Sequence, residues 1–166
     1  FEKFDKEKYS DDEKIKLTRD LLRKTFSGFA GKKLLNWKDK SVEEILKKHL
    51  STRERYEYYE EIYSRVFKRL GEKISVVDLG AGVNGLSYNS FSEIGKKVDY
   101  LAIEAVGQLV DIMNDYFKKA KIKNAKAVQE SLFELEKIKK LISEMSRPRV
   151  IFMFKVIDSL ESLERD

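Results

Sequence analysis

The densest cluster of chemically suggestive residues is Val76-Val77-Asp78-Leu79-Gly80-Ala81-Gly82-Val83-Asn84-Gly85. An apolar run ends in an acid, glycines follow, and an amphipathic segment opens at Leu86. A strand that turns into a helix through glycines lets backbone N–H groups approach a ligand, with the helix N-terminus facing it. That arrangement suits a phosphate or a nucleoside. Gly80, Gly82 and Gly85 also satisfy the dinucleotide pattern G-x-G-x-x-G, so spacing alone leaves the ligand open. Asp78 bears on the choice. Dinucleotide strands are usually apolar two residues before the first glycine, and a carboxylate buried there is costly without a partner. Glu104 closes the apolar run Tyr100-Leu101-Ala102-Ile103, where a carboxylate can accept both hydroxyls of a ribose. Gln129-Glu130-Ser131 follows a third short apolar run and could meet a base. The plainer reading makes Ser131 an N-cap, with Glu134 completing its box.

Other chemistries are excluded. The chain has no cysteine and a single histidine, His49. Disulfides, thiolate ligands, cysteine nucleophiles and multi-histidine metal sites are ruled out within it, and no metal is expected. No nucleophile elbow or triad is visible. Hydrophobic residues make up 42% of the 166, which predicts a packed fold. The net charge of +5 and pI near 9.1 permit a polyanionic partner without demanding one. No apolar run approaches the ~20 residues of a membrane helix, and no signal peptide is evident, so a cytoplasmic protein is expected. A chain opening on Phe1 reads as a fragment or as one with a missing start.

Two zones must position these residues. Residues 1–71 read as helical. Asp11 to Lys24 has helical apolar spacing, and Phe26 to Lys33 carries glycines that break it. Ser41 with Glu44 predicts a capped short helix. Ser51 with Glu54 predicts a second, running to Leu70 and ended by Gly71. Its stripe of Tyr56, Tyr59, Ile62, Tyr63, Val66, Phe67 and Leu70 is expected in the core. Residues 72–166 alternate strands (Ile74–Leu79, Val98–Ile103, Ala125–Val128, Val150–Phe154) with helices (Leu86–Ile94, Gln108–Lys119, Ser131–Met145). Leu132, Leu135, Ile138, Leu141 and Ile142 are expected to face inward on the last helix. This alternation predicts an α/β fold with a parallel sheet covered on both faces.

Three separated stretches together resemble a known family. His49-Leu50-Ser51-Thr52-Arg53-Glu54-Arg55 before a tyrosine-rich helix is similar to the H-x-S-T-x-x-R segment of the aminoglycoside-resistance 16S ribosomal RNA methyltransferases. Asp78-Leu79-Gly80-Ala81-Gly82 resembles the D-x-G-x-G of methyltransferases, where the acid orders the loop beside the methionine part of S-adenosylmethionine. Val83-Asn84-Gly85-Leu86 stands at that family's N-P-L tail, with Gly85 replacing its proline. Phe152-Met153-Phe154-Lys155-Val156-Ile157-Asp158-Ser159-Leu160-Glu161 looks like its fourth-strand end. Glu104 stands where the family usually has aspartate. The matches span residues 41–161.

The resemblance implies a Rossmann-like class I methyltransferase sheet preceded by an α-helical N-terminal region. That sheet normally has seven strands, so it is incomplete here and a longer natural protein is expected. The implied cofactor is S-adenosylmethionine. His49, Leu50 and Ser51 would line its pocket, Arg55 would pair with its carboxylate, and Gly80 and Gly82 would meet it through backbone. Asp78 would order the loop, Glu104 would hold the ribose, and Glu130 and Ser131 would face the adenine.

The implied substrate is 16S-type ribosomal RNA, or the small ribosomal subunit, methylated at guanine N7. That nitrogen needs no prior deprotonation, so catalysis would be positioning, and no catalytic base is expected. Lys155 is the candidate contact to base or phosphate. Lys32, Lys33, Lys38, Lys40, Lys47 and Lys48 are candidate phosphate contacts, and residues 1–71 a docking region. Competing readings are a degenerate, non-catalytic RNA-binding module, an NAD-dependent oxidoreductase and a small-molecule methyltransferase.

Overall fold

The computed structural model describes residues 9–18 and 40–157. The expected helix from Asp11 is helical over 11–18. Its remainder, the break at Phe26–Lys33, Lys32, Lys33, Lys38 and the Asp158–Glu161 match lie outside the described residues.

Helix α1 (Val42–Lys48) starts as expected. The Glu44 amide donates to Ser41 Oγ at 3.2 Å and the Ser41 amide to Glu44 Oε2 at 3.0 Å. The second box does not form, and the single helix expected from Ser51 to Leu70 is broken into α2 (Leu50–Arg53), a 3-10 turn (Tyr56–Tyr58) and α3 (Tyr59–Phe67). Competing hydrogen bonds explain this. Arg55 Nη1 donates to the Ser51 carbonyl at 2.6 Å and to Ser51 Oγ at 3.2 Å, so Ser51 serves the guanidinium instead of a helix start. Buried Thr52 donates to the Leu46 carbonyl at 2.6 Å, folding α2 back on α1. The apolar stripe is narrower than expected: Tyr59, Tyr63 and Phe67 are buried, whereas Val66 is exposed. Helix α3 stops at Phe67, before Gly71.

Four parallel strands follow: β1 (Lys73–Leu79), β2 (Lys97–Glu104), β3 (Ala125–Gln129) and β4 (Arg149–Phe152), in the order β3-β2-β1-β4. The expected helix over Leu86–Ile94 resolves into a 3-10 turn (Asn84–Ser87) and short α4 (Asn89–Glu93). Helix α5 (Gly107–Lys119) bridges β2 and β3. Helix α6 begins at Leu135, not Ser131, and ends at Glu144. Ser131 Oγ accepts from the Phe133 amide at 3.3 Å, so it closes a local turn and not a capping box. Leu135 is exposed, against expectation; Ile138 is the buried anchor, with Leu132, Leu141 and Ile142 partly buried beside it.

Strand alternation separates two cores. Val76, Val98, Tyr100, Ala102 and Ala127 pack with residues of α1, α3, α4 and α5. Val77, Leu101 and Ile103 pack with Ile138 of α6. Helices thus cover both faces. Asn114 of α5 shields the outer edge of β3: its side chain exchanges two hydrogen bonds of 2.9 Å with the Ala127 backbone. Successive strands run outward from β1 to β3, and β4 returns to the other side of β1. The switch point therefore lies between the C-terminal ends of β1 and β4, the position where open α/β sheets take ligands.

Gly85 makes the close approach of α5 feasible. A Cβ there would stand 2.9 Å from both Met113 Sδ and Phe117 Cζ and 3.2 Å from Tyr100 Cε1. Gly85→Ala should therefore lower unfolding free energy by about 1–2 kcal/mol, allowing for partial relaxation of the side-chain ends. Urea denaturation checks this; an unchanged midpoint would refute the packing role.

Candidate functional site

At the switch point, the buried carboxylate of Asp78 sits at the end of β1. Its Oδ2 accepts from the Tyr100 hydroxyl at 2.6 Å and from Asn84 Nδ2 at 2.7 Å. Asn84 Oδ1 in turn accepts from Tyr59 OH at 2.9 Å and Arg55 Nη2 at 3.1 Å. Ser87 Oγ donates to the Asn84 carbonyl at 2.7 Å and therefore accepts from the Tyr63 hydroxyl at 2.8 Å. The network ties α2 and α3 to the glycine loop. Burial pushes the Asp78 carboxyl up to about 6, against the lowering effect of the Tyr100 and Asn84 hydrogen bonds. Burial also pushes Tyr59 up to about 12, and Tyr63 and Tyr100 well above the ordinary phenol range.

The loop itself is left-handed at Gly80 (φ 64°) and Gly82 (φ 58°), which glycine alone adopts without cost. The Gly80 and Ala81 amides donate to the Ile103 carbonyl at 2.9 and 3.1 Å. The space beside each glycine is occupied by protein. A Cβ on Gly80 would lie 3.0 Å from Val156 Cβ, and one on Gly82 would lie 2.8 Å from His49 Cε1. The glycines thus admit these two side chains, beyond the backbone approach expected from the sequence. Glu104 closes the loop from β2: Oε2 accepts from the Gly82 amide at 2.8 Å and Oε1 from the Val106 amide at 3.0 Å.

The other expected residues are less concentrated. His49 and Ser51 are buried, while Leu50 is 36% exposed. Glu130 joins the site through its backbone, donating to the Glu104 carbonyl at 3.1 Å. Its side chain turns to the Ser131 amide at 3.0 Å and to Lys137 at 3.4 Å. Lys155 follows β4 in a left-handed conformation (φ 56°), and its ammonium is paired with Glu54. That pairing holds the Glu54 carboxyl below its ordinary value. Lys47 and Lys48 are exposed but face Glu43 at 2.7 Å and Glu44 at 3.8 Å.

Arg55 has the most suggestive geometry. Phe154 lies under its guanidinium, 4.2 Å from ring centroid to Cζ. Nη1 serves Ser51 and one N–H of Nη2 serves Asn84. Nε is buried and has no hydrogen-bond partner among the described residues. A guanidinium with an unused N–H suits a carboxylate partner. The site therefore combines the Arg55 guanidinium, a left-handed glycine loop and a second carboxylate, Glu104, at the adjacent strand end. These features fit a nucleoside that also bears an amino-acid carboxylate.

The model of the family described as Ribosomal RNA methyltransferase (FmrO) matches residues 22–133. The chain belongs to this family. A 16S rRNA (guanine(1405)-N(7))-methyltransferase from Proteus mirabilis is 32% identical over 68 residues, which are 41% of this chain and 24% of that protein. The chain thus matches about a quarter of that curated relative's length. The solved structure of the 16S rRNA methylase ArmA superposes with a TM-score of 0.58 at 24% identity, over 80% of this chain and 64% of that one. This likeness shows the shared Rossmann-like methyltransferase fold. Among the described residues of this FmrO-family chain, no helix is long and apolar enough to cross a membrane.

Sequence reasoning left several participants without a role. In the sequence Asn84 is one residue of the glycine motif, Tyr59 and Tyr63 belong to an apolar stripe, and Tyr100 belongs to an apolar strand. A polar residue in the stretch between strand and helix, opposite hydroxyl-bearing core residues, was the available signal.

The folded-state acidity of Asp78 predicts a pH dependence. Because the fold raises the carboxyl from 3.8 to about 6, its protonated form favours folding. That contribution is complete below pH 3.8 and is lost as pH rises through about 6. Asp78→Asn stays neutral and can keep an acceptor toward Tyr100. Its stability relative to wild type should therefore rise between pH 4 and 7, by about 3 kcal/mol at most. Denaturant titrations across that range test it; a constant difference would sink the assignment.

Proposed function

We propose that this chain is the S-adenosylmethionine-binding part of a methyltransferase acting on small-subunit ribosomal RNA, at guanine N7. The carrying observation is the partly buried Arg55 guanidinium, its Nε unpaired, beside the Asp78–Asn84 pair. It supports a cofactor with a free carboxylate. In this reading Arg55 pairs with that carboxylate, and His49, Leu50 and Ser51 wall the pocket. Gly80 and Gly82 shape the loop that Asp78 orders. Glu104 accepts from the ribose with lone pairs not used by Gly82 and Val106, while Glu130 and Ser131 bound the adenine end. S-adenosylmethionine, when bound, supplies an electrophilic sulfonium methyl.

Family membership and the relative's guanine-N7 activity support the substrate class. Guanine N7 carries its lone pair in the base plane, so the chain needs no proton acceptor, only correct alignment. Lys155, released from Glu54, would contact the base or a phosphate. The target base would leave its stack to enter. Residues 1–71 would form the docking region, with Lys40, Lys47 and Lys48 near phosphates, and residues 72–166 the cofactor domain. Exposed ion pairs such as Lys47–Glu43 cost little to exchange for phosphate. A ribosomal substrate implies a cytoplasmic location.

Calorimetric titration should show binding of S-adenosylmethionine and none of NAD. Arg55→Ala should weaken binding about 10- to 100-fold, the cost of a charge-assisted carboxylate pair. Small subunits incubated with protein and cofactor should yield N7-methylguanosine on nuclease digestion and mass spectrometry. NAD binding in place of S-adenosylmethionine would overturn the reading. Cofactor and RNA binding without turnover would favour a non-catalytic module.

A further inference from the structure

We infer that Asn84 is a positioning residue for carboxylate recognition, orienting Arg55 through its side-chain amide. The inference rests on the proposed cofactor reading, and it adds a residue that makes no ligand contact itself.

The amide has donors on one side and an acceptor on the other. Arg55 Nη2 at 3.1 Å and Tyr59 OH at 2.9 Å require an oxygen, and the Asp78 carboxylate at 2.7 Å requires an N–H. Its orientation is therefore dictated by its partners. Asn84 is buried, so none of these groups can substitute bulk water for it. Arg55's other hydrogen bonds, to Ser51, are within its own turn. The bond to Asn84 is thus the described hydrogen bond that registers the guanidinium against the glycine loop. It leaves Nε–H without a described partner. Phe154 fixes the plane of the guanidinium, and Asn84 fixes its rotation within that plane.

Aspartate at this position keeps the acceptor toward Arg55 and removes only the donor toward Asp78, so it leaves the orienting bond in place. Leucine removes both. The ligand's carboxylate end should suffer, while its nucleoside end, held at Glu104 on another strand, should not.

The test compares two ligands in the same chain: S-adenosylhomocysteine, which has the amino-acid carboxylate, and 5′-methylthioadenosine, which lacks it. Wild type, Asn84→Leu and Tyr59→Phe are titrated with both, and circular dichroism monitors folding. We expect Asn84→Leu to weaken S-adenosylhomocysteine about tenfold or more and 5′-methylthioadenosine less than about threefold. Tyr59→Phe, which deletes the second donor to Asn84 Oδ1, should show the same selectivity at smaller size, and it decides the question should Asn84→Leu not fold. Equal weakening of both ligands, or unchanged S-adenosylhomocysteine affinity, would overturn the positioning role. Wild type binding neither ligand would instead overturn the cofactor reading beneath it.

Discussion

A carboxylate sealed from water at the end of the central strand is the constraint around which the structure is organised. Asp78 is buried between a glycine loop and an aromatic core, where an ion without partners would be prohibitively costly. Its partners are the Tyr100 hydroxyl and the Asn84 amide. Placing an amide there creates a second requirement, because its oxygen then needs donors. Arg55 and Tyr59 supply them from the helical segment. One buried charge thereby links the two zones of the chain.

The same linkage accounts for the shape of the loop. Its left-handed glycines leave room that His49, from the α1–α2 junction, and Val156, beyond β4, fill. Glu104 draws the Gly82 and Val106 amides onto one carboxylate. Elements distant in sequence therefore converge on the loop, and much of the site's rigidity comes from side chains touching protein. The Arg55 Nε–H is buried beside this loop without a described partner.

The strands were legible because their apolar runs, bounded by Gly, Lys and Asn, are short and dense. The Ser41 box was legible because both of its partners are local. Ser51 and Ser131 carried the same local signature and failed for physical reasons. Ser51 is claimed by a guanidinium four residues away, and Ser131 is satisfied by its own turn. From spacing alone the tyrosine stripe is apolar filling. Its hydroxyls gain meaning only once Asn84 and Ser87 lie opposite them.

By itself the sequence determined an alternating α/β chain, a glycine loop after the first strand, acids at Asp78 and Glu104, and a family resemblance that the comparisons support. These follow from periodicity and from residue types at fixed local spacing. Tertiary structure decided which donors meet which acceptors: Asn84 between Arg55 and Asp78, His49 on Gly82, Lys155 on Glu54. Such pairings join residues 6 to about 100 positions apart and depend on burial. A hydrogen bond gains its weight only where water has been excluded, and no local pattern records that exclusion.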